Sequence, residues 1–368
     1  MKIICEKDLL VEAVSNVARA ACAKSPVPAL EGILLKAQDG QLQLTGYDLE
    51  LGIVTTIEAK TEQPGQLILS ARLLLDIIRR IPAQTVSILS DERDLATIRG
   101  GASEFTIPGL NAEEYPELPN FEQQSDLVLK QGVLKSMIDQ TLFAIATTDS
   151  KPVHTGSLFD VKDSCVTLVS VDGYRLALRR EPIVSDLTTR FIVPGKTLAE
   201  ISKLLKEEDE EAYLALSQKH IVFRIGGYYV VSRLLEGEFL DYNAAIPKVS
   251  KTTVKINTRS LTDAVERTSL LISDRLRSPI RLSAMDQKVQ LNCSTSMGKA
   301  HDKVDCEMSG EAVSMGFNNK YLMDALKASD CDMVKLEING ALSPMRILPL
   351  EGESFLFLVL PVRVKNDD

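Results

Sequence analysis

Tryptophan is absent from this chain of 368 residues, aromatic residues make up 5%, and there are only three histidines. His154, His220 and His301 stand far apart and fall in no HExxH or similar spacing, which excludes the usual histidine-built metal site. Six cysteines (Cys5, Cys22, Cys165, Cys293, Cys306 and Cys331) form no CxxC pair. A zinc ribbon or redox dithiol is therefore not spelled out, and reduced, mostly buried thiols are expected. No apolar run reaches the roughly 18 residues that a membrane span needs. The opening MKIICEKDLL turns charged within seven residues, unlike a signal peptide, so a cytoplasmic protein with no membrane partner is expected.

Signatures of catalysis are missing too. There is neither a GxSxG nor a Walker A motif. Paired glycines occur in RGGASEF (99–105) and RIGGYYV (224–230), but neither pair opens a helix as a phosphate cradle must, and both read as hairpin turns. The acidic run 207–211 has no glycine and so lacks the calcium-loop pattern. A non-catalytic protein without metal or nucleotide cofactor is expected. Positive charge is in deficit, at a net −9. Taken whole, that speaks against nucleic acid, whose phosphates are held by lysine and arginine, although net charge does not say where the charges sit.

What the sequence does contain is a repeat. LVEAV from Leu10, LKSMI from Leu134 and LTDAV from Leu261 each set two apolar residues four positions apart, on one face of a helix. They follow one another at intervals of 124 and 127 residues. ARLLLDII from Ala71, GKTLAEIS from Gly195 and NKYLMDAL from Asn319 align without gaps. In these, Leu74, Leu198 and Leu322 recur at intervals of 124, with a basic residue two before and an acidic residue two after. Between the helices lie hairpin patterns, apolar runs broken at Asp39-Gly40, Lys162-Asp163 and Asp286-Gln287. More strands follow each second helix, so every unit reads helix, strands, helix, strands. Proline and polar clusters near 119–126 and 247–252 mark the joints. LTGYDLEL (44–51) and VSVDGYRL (169–176) are then equivalent strand–turn segments of repeats one and two, and Asp172-Gly173 is first of all a turn.

The six predicted helices, over 10–24, 72–80, 134–146, 196–206, 261–272 and 320–328, together carry +5, which leaves −14 for the rest. If all six faced one surface, a mildly positive face would sit on an acidic body, able to hold a phosphate backbone without reading bases.

Repeats, element order and motifs together resemble the bacterial DNA sliding clamps, the processivity subunit (beta subunit of DNA polymerase III) of the replicative polymerase in DNA replication. The resemblance spans the whole chain and is carried by LTGYDLE (44–50), VSVDGYRLAL (169–178), LLEGEFLDYNAAIP (234–247) and LVLPVRV (358–364). It implies an α+β fold of three clamp domains, 1–122, 123–249 and 250–368, each with two helices packed on antiparallel sheets. It also implies a head-to-tail homodimer closed into a ring around double-stranded DNA, without sequence specificity. Lys24, Arg72, Arg79, Lys135, Lys196, Lys203 and Lys320 would face the DNA. Phe105 and Ile107 of the first domain would meet Leu271 and Ile272 of the partner's third.

The same resemblance implies a pocket into which the replicative polymerase, the clamp loader and repair proteins insert short apolar peptides. His154, Thr155, Val171 and Gly173 would line one side. Tyr174, Arg175, Leu176, Leu240 and Ala245 would continue it. Leu358, Leu360, Pro361, Val362 and Arg363 would close it. Gly173 would permit close backbone approach, and Arg175 or Arg363 would hold a peptide carbonyl or carboxylate. Two positions depart from the family pattern: His154 replaces an apolar residue and Leu240 a proline. Ala244-Ala245 is smaller than the usual pair. A protein-binding adaptor that never encircles DNA would share the fold and is the alternative.

Overall fold

The computed structural model describes residues 1–148, 151–206, 209–273 and 278–363. Val364 of the last motif and Glu207 and Glu208 of the acidic run lie outside these residues.

Both trios of repeated leucines are core. Leu10, Leu134 and Leu261 are fully buried, as are Val14, Ile138 and Val265 one turn on, and Leu74, Leu198 and Leu322. They sit on α1 (Lys7–Val17), α2 (Ala71–Arg80), α3 (Gln131–Asp139), α4 (Gly195–Leu204), α6 (Thr258–Ser269) and α7 (Asn319–Ala328). The one-turn α5 (Tyr242–Ala245) belongs to no trio. Side-chain caps start several of these helices. Asn257 Oδ1 accepts from the Ser260 amide at 2.9 Å before α6, and Asn318 Oδ1 from the Lys320 amide at 2.9 Å before α7.

The order of elements differs from the expectation in one respect. A strand precedes the first helix of every repeat: Lys2–Glu6, Ser125–Lys130 and Thr252–Asn257. Each is short, with buried and exposed residues alternating, and its polar members hid it beside the stronger helical pattern. The three first hairpins close on two-residue left-handed turns, Asp39-Gly40, Asp163-Ser164 and Asp286-Gln287, with φ between 50° and 77°. In repeat two the turn therefore lies one residue later than expected, because Lys162 still pairs with Cys165. The glycine pairs close hairpins, at Gly101-Ala102 and Gly226-Gly227.

The chain forms two compact units, Met1–Gly132 with Lys203–Leu234, and Val133–Ser202 with Leu235–Asp368. Among the described residues, the first unit contains a five-stranded antiparallel sheet ending in strand Ser103–Pro108. It also contains an eight-stranded sheet in which Tyr228–Arg233 pairs with Leu51–Glu58. Helices α1 and α2 pack together there, and the Arg79 guanidinium donates to Ser15 Oγ at 3.0 Å.

The second unit contains a nine-stranded antiparallel sheet in which Arg175–Pro182 of repeat two pairs with Phe355–Val359 of repeat three. It also contains a four-stranded sheet with Gly298–Asp305 at one edge. A core under α6 and α7 takes Ala177, Phe355, Phe357 and Val359 from one face of the large sheet. Their neighbours Leu176, Leu178, Leu356 and Leu358 point to the other face, as the period of two requires. No described helix is long and apolar enough to cross a membrane.

Three basic residues counted toward the helical charge lie outside the six long helices: Arg19 in the short turn Ala18–Ala20 after α1, Lys24 in a proline-flanked turn beyond it, and Lys206 past α4. Lys7 and Asp8 instead join α1, and Arg259 joins α6. The six long helices carry eleven basic residues: Lys7, Arg72, Arg79, Arg80, Lys135, Lys196, Lys203, Arg259, Arg267, Lys320 and Lys327. Against these stand Asp8, Glu12, Asp76, Asp139, Glu200, Asp263, Glu266 and Asp324. The surplus is three, smaller than the five expected.

Candidate peptide pocket and ring surfaces

The turn Asp172–Arg175 joins strands Cys165–Val171 and Arg175–Pro182. Asp172 Oδ1 accepts from the Tyr174 amide at 2.9 Å and the Arg175 amide at 3.1 Å. Repeat one has the same turn, in which Asp48 Oδ1 accepts from the Glu50 and Leu51 amides at 3.0 and 2.7 Å. The correspondence runs from aspartate to aspartate, so the two Gly-Tyr pairs that catch the eye are out of register. Gly46 lies within a strand, whereas Gly173 is the turn's left-handed residue at φ 89°. A Cβ at Gly173 would meet nothing within 4 Å. Glycine suits that backbone angle, which Leu49 adopts at φ 77° in the equivalent turn of repeat one.

Arg175 is engaged within the chain. Its side chain is only 8% exposed. Nε donates to Asp172 Oδ2 at 2.9 Å and Nη1 to Asp324 Oδ2 at 2.5 Å, while the guanidinium lies over Tyr321 and Phe143, 4.6 and 5.4 Å from the ring centroids. A guanidinium held this way is committed. The second arginine expected to hold a peptide carbonyl or carboxylate, Arg363, is exposed.

Beside the turn, Val171, Leu176 and Leu358 belong to one buried cluster, and Leu176 and Leu358 are direct cross-strand partners. The cluster is covered by side chains that the sequence did not single out: Phe239 and Tyr242, with Val153, Leu235 and Ile246 packed at its rim. His154 meets Phe239 edge-on, with ring centroids 5.4 Å apart. Burial, and secondarily Lys151, holds the His154 imidazole below its ordinary pKa, so that it packs as a neutral ring. Thr155 Oγ1 donates to the Pro152 carbonyl at 2.7 Å. Tyr242 donates to the buried Asp160 Oδ2 at 2.8 Å; burial first, then that carboxylate, pushes the phenol up to about 12.

The segment ahead of Tyr242 leaves Leu240 exposed, and Ala245 of α5 is exposed too. Leu360 and Pro361 are half-buried, and Val362 is exposed. The Leu360 amide donates to the Tyr174 carbonyl at 2.9 Å and the Val362 amide to the Gly316 carbonyl at 2.8 Å, which pins the exit of the last strand. One signal for the covering segment was available: Asp241 two residues ahead of Asn243 is a helix cap, and its Oδ1 accepts the Asn243 and Ala244 amides at 3.1 and 3.4 Å.

The expected DNA-facing residues divide. Arg72, Arg79, Lys196, Lys203 and Lys320 are exposed on helices, and Lys24 is exposed in its turn. Lys135 is half-buried, 3.5 Å from Asp139, and donates to the Ser202 carbonyl at 3.4 Å. The expected interface residues divide as well. Phe105 is 39% exposed on the open edge strand Ser103–Pro108, whereas Ile107 is buried. Leu271 and Ile272 follow α6 instead of ending it, and Ile272 packs on the core. The apolar residue most exposed there is Leu270, at 80%, which the sequence reading passed over.

Models of three consecutive domains of the DNA polymerase III beta subunit match the chain: the N-terminal domain over residues 1–119, the central domain over 128–241 and the C-terminal domain over 243–363. The beta sliding clamp of Bacillus subtilis is 32% identical, the alignment covering 99% of this chain and all of that protein. The crystal structure of the Bacillus subtilis DNA polymerase sliding clamp superposes with a TM-score of 0.95 at 32% identity, over 99% of this chain and 100% of that one. A sliding clamp from Pseudomonas aeruginosa, determined bound to griselimycin, gives 0.94 at 28% identity over 99% and 100%. Three consecutive domain models together span nearly the whole chain, and a relative covered end to end is 32% identical, so the chain belongs to the DNA polymerase III beta subunit family, the bacterial beta sliding clamps.

Proposed function

We propose that the chain works as the processivity clamp of a bacterial replicative DNA polymerase, in the cytoplasm, by closing with a second copy into a ring around duplex DNA. The observation that carries this reading is the full-length match to beta sliding clamps, in sequence and in fold. Three repeats, over 1–122, 123–249 and 250–368, form each half of the ring. Two open sheet edges, Ser103–Pro108 and Gly298–Asp305, suit a head-to-tail joint, because unpaired edge strands offer backbone donors and acceptors to another chain. Phe105 and Leu270 supply exposed apolar surface beside those edges.

Retention in this mechanism is topological. A closed ring cannot leave the duplex sideways, so few phosphate contacts suffice and sliding stays fast. Tight phosphate binding would slow it. A small helical surplus of positive charge on an acidic chain fits that demand better than a strongly basic face would. Polymerase, loader and repair proteins attach by apolar peptides at the Leu176–Leu358 cluster, between Leu240 and the Leu360–Arg363 segment. No catalytic role is assigned to the Asp172-Gly-Tyr-Arg turn, since Asp172 caps it and Arg175 is held in ion pairs.

The test is retention on nicked circular DNA after loading by a cognate clamp loader and ATP. Release on linearising the circle is the expected result. Equal retention on circle and line would replace encirclement by direct binding.

A further inference from the structure

The large sheet of the first unit follows the plan of the second but leaves part of the corresponding face bare. Val54 and Leu178 stand equally far beyond the capping aspartates Asp48 and Asp172, and each pairs with a strand of the next repeat, at Tyr229 and at Leu356. In the second unit Leu178, Leu348 and Leu356 lie in the buried cluster with Phe239 and Tyr242. In the first unit the covering residues are Leu118 and Phe121, which pack on Ala215, Val222 and Val231. The next row of that sheet is left open.

The row crosses five strands. Val128 pairs with Tyr213, Tyr213 with Arg224, Arg224 with Tyr229, and Tyr229 with Val54. Tyr228, the neighbour of Tyr229, turns to the helix side, where its hydroxyl accepts from Asn16 of α1 at 2.7 Å, so the row faces the other way. Tyr213 is 45% and Val128 40% exposed, and Arg224 is exposed between the two tyrosines. The Gly226-Gly227 turn helps to line a depression of about 390 Å³, which Tyr213, Arg224 and Tyr229 share. Among the described residues the Arg224 guanidinium makes no hydrogen bond or ion pair. The carboxylates near it are engaged: Glu211 accepts from the Tyr213 hydroxyl, and Asp209 pairs with Lys130 at 2.8 Å. Tyrosine and arginine set together in the open are what protein interfaces are rich in.

Charge decides the kind of partner. Lys130 and Arg224 stand against Asp126, Asp209 and Glu211 on and beside this face, so a run of phosphates would be repelled. A single carboxylate would instead meet the one cation there that has no partner.

We propose that this row is a second peptide-docking surface, which takes an extended segment of a partner protein carrying one aspartate or glutamate between aromatic side chains. It rests on the peptide pocket proposed above only for the correspondence between the two sheets.

The experiment is fluorescence polarisation with the full-length protein and two fluorescein-labelled probes. One is the synthetic pentapeptide Phe-Ser-Glu-Ser-Phe, whose alternate side chains suit Tyr213, Arg224 and Tyr229. The other is a decapeptide from the apolar clamp-binding segment of the same bacterium's replicative polymerase, which reads the first pocket. Arg224→Glu should weaken the pentapeptide about tenfold and leave the decapeptide unchanged. Its thermal midpoint should stay that of the wild type, because nothing in the fold holds that side chain. Tyr213→Ala should act in the same direction, and glutamine in place of the pentapeptide's glutamate should cost about as much as Arg224→Glu. Leu360→Asp should do the reverse, abolishing decapeptide binding and sparing the pentapeptide. A pentapeptide that binds Arg224→Glu as well as wild type, that is lost in Leu360→Asp, or that fails to bind wild type at about 1 mM would overturn the proposal. So would a ten-nucleotide thymidine oligomer that binds in its place and is lost in Arg224→Glu, which would assign the row to single-stranded nucleic acid. A decapeptide indifferent to Leu360→Asp, with the pentapeptide still lost in Arg224→Glu, would remove the first pocket and uphold this surface.

Discussion

The two faces of the nine-stranded sheet are built from alternate residues of the same strands and do different work. Toward the helices, Phe357 is enclosed by Phe143, edge-on at 5.4 Å, and by Phe355, stacked at 4.8 Å. That face joins a core shared with α6, α7 and a second sheet. Toward the other side, Leu356 and Leu358 meet a cluster less than half that size, roofed by a segment whose only regular element is one helical turn. The first face is closed by secondary structure. The second is closed by side chains on a loop, with Leu240 and Val362 left exposed at its rim. The peptide site proposed above is placed where a sheet face has apolar residues to spare and little regular structure to cover them.

The contrast can be broken most forcefully at Phe357. Phe357→Ala should cost about 3–5 kcal/mol of unfolding free energy, because a ring surrounded by rings leaves a cavity that cannot collapse. Chemical denaturation would show it. Leu358→Ala, one residue on, should cost less, about 2–3 kcal/mol, since a loop can settle into the space. Unlike Phe357→Ala at the same residual stability, it should also weaken peptide binding measured by polarisation. If the two variants cost the same and neither touched peptide affinity, the two faces would not differ as argued.

Tyr242→Phe should cost about 1–2 kcal/mol, by removing a donor from the buried Asp160 and loosening the roof. Its effect on peptide affinity should exceed its effect on the thermal midpoint. The smallest effect is that of pH. The His154 pKa is lowered in the folded protein, so the unfolded chain binds the proton more readily, and stability falls as pH drops through the ordinary histidine range. His220 is shifted in the same direction, by burial first and then by Arg233 and Lys219. Thermal midpoints between pH 7 and 5.5 should decline, and His154→Gln should flatten part of that decline. An unchanged slope would place the sensitivity at His220.

The repeat was legible because it is written in residues that cannot move: two trios of leucines in register, all fully buried, fix one face of each of six helices. The strand ahead of each helix was not, because in Lys2–Glu6 the alternation covers only five residues. The site was legible in part. The Asp-Gly turn and the apolar last strand stand out, and the structure puts them side by side. The partners of Arg175 were not legible, since Asp324, which accepts from its guanidinium, lies 149 residues away. Phe239 and Tyr242 were missed because what fixes them is long-range: the sheet face below and the Asp160 carboxylate.

Backbone pairing does not stop where one repeat ends. Strand Tyr228–Arg233 of repeat two zips onto Leu51–Glu58 of repeat one, and Arg175–Pro182 onto Phe355–Val359 of repeat three. Anyone wishing to express a single repeat should expect trouble from this. A fragment ended at residue 122 would bare the Leu51–Thr55 edge, which Tyr228–Ser232 now covers, as a template for the next fragment. The repeats look like three genes' worth of modules, yet their seams are stitched, and the protein is best cut, labelled or fused at its hairpin tips.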